Sequence, residues 1–306
     1  MTYEIDLEHS VSRGTLRAYR KALKKALGAL DEPASSDDPI HDGHTGVKKA
    51  RTLLRILRPE IGGSRYRKET DALREAGHPL AAVRDTSILV GVLDGLMEHA
   101  GAEDRGRLAP LTVTLQAQRD EGEARAADVR VEATRVLTEA RDRASAFSSG
   151  PRGWKALAPG IDRAYRRGRE RFDRAFETGH DEDFHALRKA VKDLGYLARF
   201  LRRIDEPSMR IEEERFKQLG SLLGDDHDLA ALRAVARRSL EPRDPEAADR
   251  LDALANARRD QLRREARPIA DSLFAESPKQ RLGRLEALFR DARARAVAAV
   301  RTPQAA

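Results

Sequence analysis

The chain reads as all-α, and three observations carry that expectation. Nearly every periodic segment spaces its apolar residues by three and four, and no alternating β-run stands out. Hydrophobic residues make up 40% of the 306 but aromatics only 5%, which suits helices packed through Leu, Val and Ala. A set of landmarks in the first half also returns in the second, 144 residues on. The architecture expected is two helical bundles from an internal duplication, related by a pseudo-two-fold axis. They would form one domain over 10–300, with halves 10–147 and 154–300.

The elements follow in order. The first helix is expected over Ser12 to Leu30, with Leu16, Tyr19, Leu23, Leu27 and Leu30 as its apolar stripe. Residues 31–39 are an acidic, breaker-rich loop, after which Asp38 caps a helix that starts at Pro39 and ends before Gly62. A short helix near Arg65–Ala76 should break at Gly77-His78-Pro79, and another should run from Leu80 to His99. The Ala/Glu/Arg-rich stretch 103–147 is helical, with a kink expected near Gly122. Turn formers at 148–153 mark the boundary, and beyond it the pattern restarts.

The restart is specific. Arg17-Ala-Tyr-Arg-Lys21 matches Arg163-Ala-Tyr-Arg-Arg167, His41 matches His185, and Asp85 matches Asp228. Tyr19 to His41 is 22 residues and Tyr165 to His185 is 20, while the His-to-Asp separations are 44 and 43.

Charged residues reach 36%, and Lys and Arg exceed Asp and Glu by 58 to 51, so distribution matters more than the net +7. The absence of cysteine excludes disulfides, thiolate metal sites and thiol catalysis. The amino terminus lacks a signal-peptide pattern and no apolar run approaches the roughly 18 residues of a membrane span. A cytoplasmic protein without a membrane partner is expected.

The charge lies in ladders. His41, His44, Lys48, Arg51, Arg55 and Arg58 fall within an arc of roughly 100° of one helix. His185, Arg188, Lys192, Arg199 and Arg202 repeat it, with Gly195 in the place of Arg51. Beside each ladder runs an apolar stripe: Val47, Ala50, Leu54, Leu57 and Ile61, then Leu187, Val191, Leu194, Ala198 and Leu201. Cations that flank a core stripe line a groove between helices, whereas solubilising charge lies opposite it. The plainer alternative is a solvated face paired with Glu103, Asp104, Asp120, Glu121, Glu123, Asp128 and Glu132. Six cations and no acid in residues 12–28 weigh against it, with six cations against two acids in 163–174.

Arginine forks and lysine point charges spaced along a helix face suit a polymer of phosphates. The candidate binding set is Arg17, Arg20, Lys21, His41, His44, Lys48, Lys49, Arg51, Arg55 and Arg84 in the first half. In the second it is Arg163, Arg166, Arg167, His185, Arg188, Lys189, Lys192, Arg199 and Lys217. Histidines in such a field stay neutral and donate an N–H. Asp85 and Asp228 are expected to orient the cations, and Tyr19 and Tyr165 to be core residues with a polar tip at the groove.

These residues resemble the CHAD family, the conserved-histidine α-helical domain. The resemblance rests on His41-x-x-His44-x-x-x-Lys48-Lys49-x-Arg51 and on His185-x-x-Arg188-Lys189-x-x-Lys192. Arg84-Asp85, Leu222-Leu-Gly-Asp-Asp-His-Asp228 and Tyr196 also contribute, and together they span residues 10–300. The resemblance implies two helical bundles that bind inorganic polyphosphate without known catalysis, and a location with polyphosphate granules. His44, Asp193 and Gly195 depart from the family pattern, which expects a cation at each. CHAD domains often accompany a triphosphatase domain with a Glu-x-Glu-x-Lys strand. Here Glu4-Ile-Asp-Leu-Glu8 ends in Glu, so a stand-alone member is expected.

Two alternatives stay open. A non-specific nucleic-acid binder would use the same counterion release, though clustered aromatics for base stacking are missing. A metal-dependent phosphohydrolase could be built on His41-Asp42, but the second copy reads His185-Ala186. No catalytic residue, metal or cofactor is expected.

Overall fold

The computed structural model describes residues 3–32, 36–98, 101–148 and 153–301, which are mostly helical with no strand among them. Nine α-helices follow: α1 (Val11–Asp31), α2 (Pro39–Ile61), α3 (Gly63–Met97), α4 (Ala102–Ser145), α5 (Trp154–Thr178), α6 (Asp181–Phe200), α7 (Glu206–Leu240), α8 (Pro245–Leu273) and α9 (Pro278–Arg301). A 3-10 turn, Arg202–Ile204, joins α6 to α7.

The caps are those the sequence names. Asp38 accepts the His41 backbone N–H at 2.9 Å ahead of Pro39. Gly62, at φ 83°, turns the chain out of α2 in a conformation that glycine adopts without strain.

One expectation fails. The break at Gly77-His78-Pro79 does not occur, and α3 is a single 35-residue helix with Pro79 inside it. Leu73, Ala76 and Leu80 are all buried and keep one stripe in phase across the proline, so packing on α2 outweighs one missing N–H. α4 also runs unbroken past Gly122. A Cβ at Gly122 would sit 2.5 Å from Thr86 Oγ1, so the glycine serves close approach to α3. Residues 149–152 of the expected boundary, 33–35 of the acidic loop, His99 and the side chain of Glu103 lie outside the described residues.

α1 packs on α2 and α4, and α2 and α4 each pack on α3. Likewise α5 packs on α6, α6 on α7 and α7 on α8, with α9 against α5. The main apolar cluster draws side chains from all nine helices. Burying it drives the assembly, at about 25 cal/mol per Å² of apolar surface removed from water. α2 joins the two sets of helices, since it also packs on α5 and α6. At Gly160 a Cβ would lie 2.7 Å from Ile56 Cα, so α5 reaches the α2 backbone only because that residue is glycine. A second cluster joins the far ends of α3 and α4 to α7 and α8 through Leu93, Leu111, Leu232 and Leu251.

Candidate functional site

α2 and α6 each bury the stripe expected of them, which turns the neighbouring arc of each helix toward the other. α3 runs back along α2, with Gly77 beside Val47 and Arg84 close enough to act on His41 and His44. α7 runs back along α6. Gly220 lies against Val191 and Lys192, Gly224 against Arg188, and His227 stacks on His185 with ring centroids 4.1 Å apart and planes at 29°.

The centre of the site is the meeting of Lys48 with Lys192. Burial and then Lys192, Arg188 and Arg84 hold the Lys48 amine down to about 7. Burial, Arg188 and Arg84 bring Lys192 down to about 8. The histidines respond in the same way. Burial and Lys48 push His44 down to about 3, and burial and the opposed His227 push His185 down to about 4. Burial and Arg188 bring His227 to about 4. All three imidazoles are therefore neutral at pH 7 and can donate a hydrogen bond. Asp228 lies 4.0 Å from Arg188, and burial raises its carboxyl more than Arg188 lowers it. Asp85, exposed at the rim, faces the same cations.

Two arms lead away from this centre. In one, Arg51 and Arg55 of α2 meet α6 and α5. Arg55 Nη1 lies 2.7 Å from Asp193 Oδ1, Arg167 Nη2 donates to Asp193 Oδ2 at 3.3 Å, and Arg51 bears on Lys189. In the other arm, Arg199 bears on Lys49, whose Nζ lies 5.9 Å from the ring centres of both Tyr3 and Tyr196. Arg199 and Arg202 both reach Glu213 of α7. The side chains of Arg51, Arg188, His44 and His185 each hold a buried nitrogen (Nε or Nδ1) with no hydrogen-bond partner among the described residues.

Several expected members lie elsewhere. Arg20 caps the end of α4, donating to the carbonyls of Ala144 (2.9 Å), Ser145 (3.0 Å) and Phe147 (2.8 Å). Arg17 pairs with Asp6, and both Arg17 and Lys21 line a cleft with Glu8, His9 and Arg203. Arg166 is bound to Asp162 one turn back at 2.7 Å, and Arg163 and Lys217 are exposed. The tyrosine tips are not at the groove. The Tyr19 hydroxyl is buried close to Glu69 and Arg143, and the Tyr165 hydroxyl donates to the carbonyl of Glu276 at 2.9 Å. Helical periodicity gave the face of α1 and α5 but not which helix covers it. Gly195 fails as a cation position for the same reason, since a Cβ there would sit 3.3 Å from Phe216 Cβ, facing α7.

Five acids of 103–147 pair away from the ladders. Asp104 is bound to Arg250 of α8, while Glu121 and Glu132 serve Arg125 and Arg135 of their own helix, as Asp120 and Glu123 serve Arg119. His227 and Arg171 were not among the expected members. The run Leu222-Leu-Gly-Asp-Asp-His-Asp228 held the available signal for His227, and Arg171 bears on Arg167 and Lys189. Asp226 itself is buried and accepts from Arg259 (3.1 Å) and Arg263 (2.8 Å), which also bind Asp181 at the start of α6. That network fixes α6 one turn before His185. Asp42 is exposed and accepts from Ser36 at 2.8 Å.

A family model for the CHAD domain matches residues 17–237. Two solved structures are similar. PptA from Streptomyces chartreusis gives a TM-score of 0.64 at 16% identity, covering 86% of this chain and 98% of that one. The CHAD domain from the plant Ricinus communis gives 0.59 at 17% identity and covers 94% of each chain. At these identities the likeness is one of fold. A search of the curated proteins finds no match.

Proposed function

The chain belongs to the CHAD domain family, and from that premise we propose that α2 and α6 jointly bind inorganic polyphosphate, without turnover. The observation that carries this reading is the apposition of Lys48 and Lys192. Burial and Lys192 depress the protonation of Lys48, and burial, Arg188 and Arg84 depress that of Lys192, an arrangement that costs folding energy and that a bound anion would relieve. The unpartnered nitrogens of His44, Arg51, His185 and Arg188 support a ligand rich in acceptors. From His41 to Arg55 the cations extend over roughly 20 Å of helix at about 1.5 Å per residue, a length suited to a chain of phosphates. No helix among the described residues is long and apolar enough to cross a membrane, and association with polyphosphate granules is part of the same proposal.

Non-specific nucleic-acid binding is weaker support for the same charges. Tyr3 and Tyr196 sit in the groove, but Lys49 is set over both rings, which leaves them poorly placed to stack bases. The test is a titration of labelled long-chain polyphosphate at low and moderate salt, with unlabelled DNA as competitor and free phosphate monitored. Tight, salt-sensitive binding that DNA displaces poorly is expected. Displacement by equal phosphate equivalents of DNA would favour the nucleic-acid reading, and release of phosphate would make the protein an enzyme.

A further inference from the structure

The two arms of the groove differ in charge at one pair of counterpart positions. Arg55 faces Asp193, and Arg199 faces Lys49. Adding 144 to Arg55 gives Arg199, and adding 144 to Lys49 gives Asp193, so each arm uses the counterpart positions of the other. Where one arm presents two cations, the other presents a cation and a carboxylate. That carboxylate is fully engaged. One oxygen takes Arg55 at 2.7 Å and the Thr52 hydroxyl at 3.3 Å, and the other takes Arg167 at 3.3 Å. A side-chain anion bridging two guanidinium groups occupies them as a phosphate would.

We propose that Asp193 is a specificity-determining residue: a resident counter-anion that stands in for one phosphate between Arg55 and Arg167. It confines a bound chain to the Lys48–Lys192 centre and the Lys49–Arg199 arm. This rests on polyphosphate being the ligand. A phosphate entering the Arg55 arm must either displace the carboxylate from both arginines or lie against it, and repulsion acts strongly at such range. The site therefore reads a shorter stretch of polyphosphate than its count of cations suggests.

The test is the slope of log affinity against log salt for long-chain polyphosphate, which counts the cations engaged. Asp193→Asn keeps the size and the bond from Thr52 while removing the charge. It should steepen the slope by about 1.4, two freed arginines at about 0.7 each for a single-stranded polyanion. Asp193→Lys, which puts the counterpart cation in place, should steepen it further. Asp291→Asn on α9 adds the same net charge and should keep the wild-type slope. A second comparison does not depend on how well an Asp193 variant folds. Within the otherwise wild-type chain, Arg199→Gln should flatten the slope more than Arg55→Gln, because Arg55 lies 2.7 Å from Asp193, whereas Arg199 stands off at 4.0 Å from Glu213, a carboxylate that Arg202 already engages. Equal losses from those two, or an Asp193→Asn slope matching Asp291→Asn, would overturn the inference. Absence of polyphosphate binding by the wild-type protein would instead defeat the functional reading beneath it.

Discussion

Lys48 is where burial and like charge act together on one amine, and its titration gives the residue-scale predictions. An ordinary lysine titrates at 10.5, and here burial and Lys192 hold Lys48 near 7. A bound polyanion raises that value back, so binding takes up protons at any pH between the two values. Affinity should fall as pH rises from about 7 toward 10, and calorimetry at pH 8 in buffers of different ionisation enthalpy should register net proton uptake. Binding without proton exchange would contradict the arrangement around Lys48. Lys48→Gln and Lys192→Gln should each lower affinity about tenfold, the loss of roughly 1.4 kcal/mol from one charge-assisted contact. The histidines predict stability instead. With folded values near 3 for His44 and 4 for His185 and His227, the unfolded chain binds more protons below about 6.5, the ordinary value. The unliganded protein should therefore lose stability steadily from pH 6.5 to 4, and thermal melts across that window check it. His41, His44, Lys48, His185 and Lys192 were legible because residue type and ladder position are local properties. Asp193 and His227 were not, because their roles come from side chains on other helices.

At the level of elements, the sequence marked the caps of α2 and the stripes of α1, α2 and α6, which depend on neighbours within a turn or two. It overstated what Pro79 does, since that residue lies inside one continuous 35-residue helix packed on its partners. α1 is the clearest case of a basic helix with another use. Its Arg20 closes the end of α4 with three hydrogen bonds to main-chain carbonyls. Arg20→Ala should cost about 1–3 kcal/mol of stability, seen as a lower melting temperature, while polyphosphate affinity stays at the wild-type value. A loss of affinity in a protein that still melts normally would return α1 to the site.

For the whole molecule, the central claim is that one polyanion is held by both halves at once. The charges across the groove give the reason, since Lys48 and Lys49 feel Lys192 and Arg199 of α6, and Arg55 pairs with Asp193 of α6. The 144-residue spacing made two equivalent ladders legible. That they converge depends on the tight seat of α2 on α5 at Gly160, a long-range packing that no periodicity encodes. Three triple variants, compared by the salt dependence of polyphosphate binding, test the claim most directly. They are Lys48→Gln/Lys49→Gln/Arg84→Gln in the first half, Arg188→Gln/Lys192→Gln/Arg199→Gln in the second, and Arg125→Gln/Arg130→Gln/Arg135→Gln on α4. Each removes the same net charge. The first two should each flatten the log–log slope by about 2, three cations at roughly 0.7 each, and the α4 triple by far less. Equal flattening by all three, or an effect from one half alone, would contradict a shared groove.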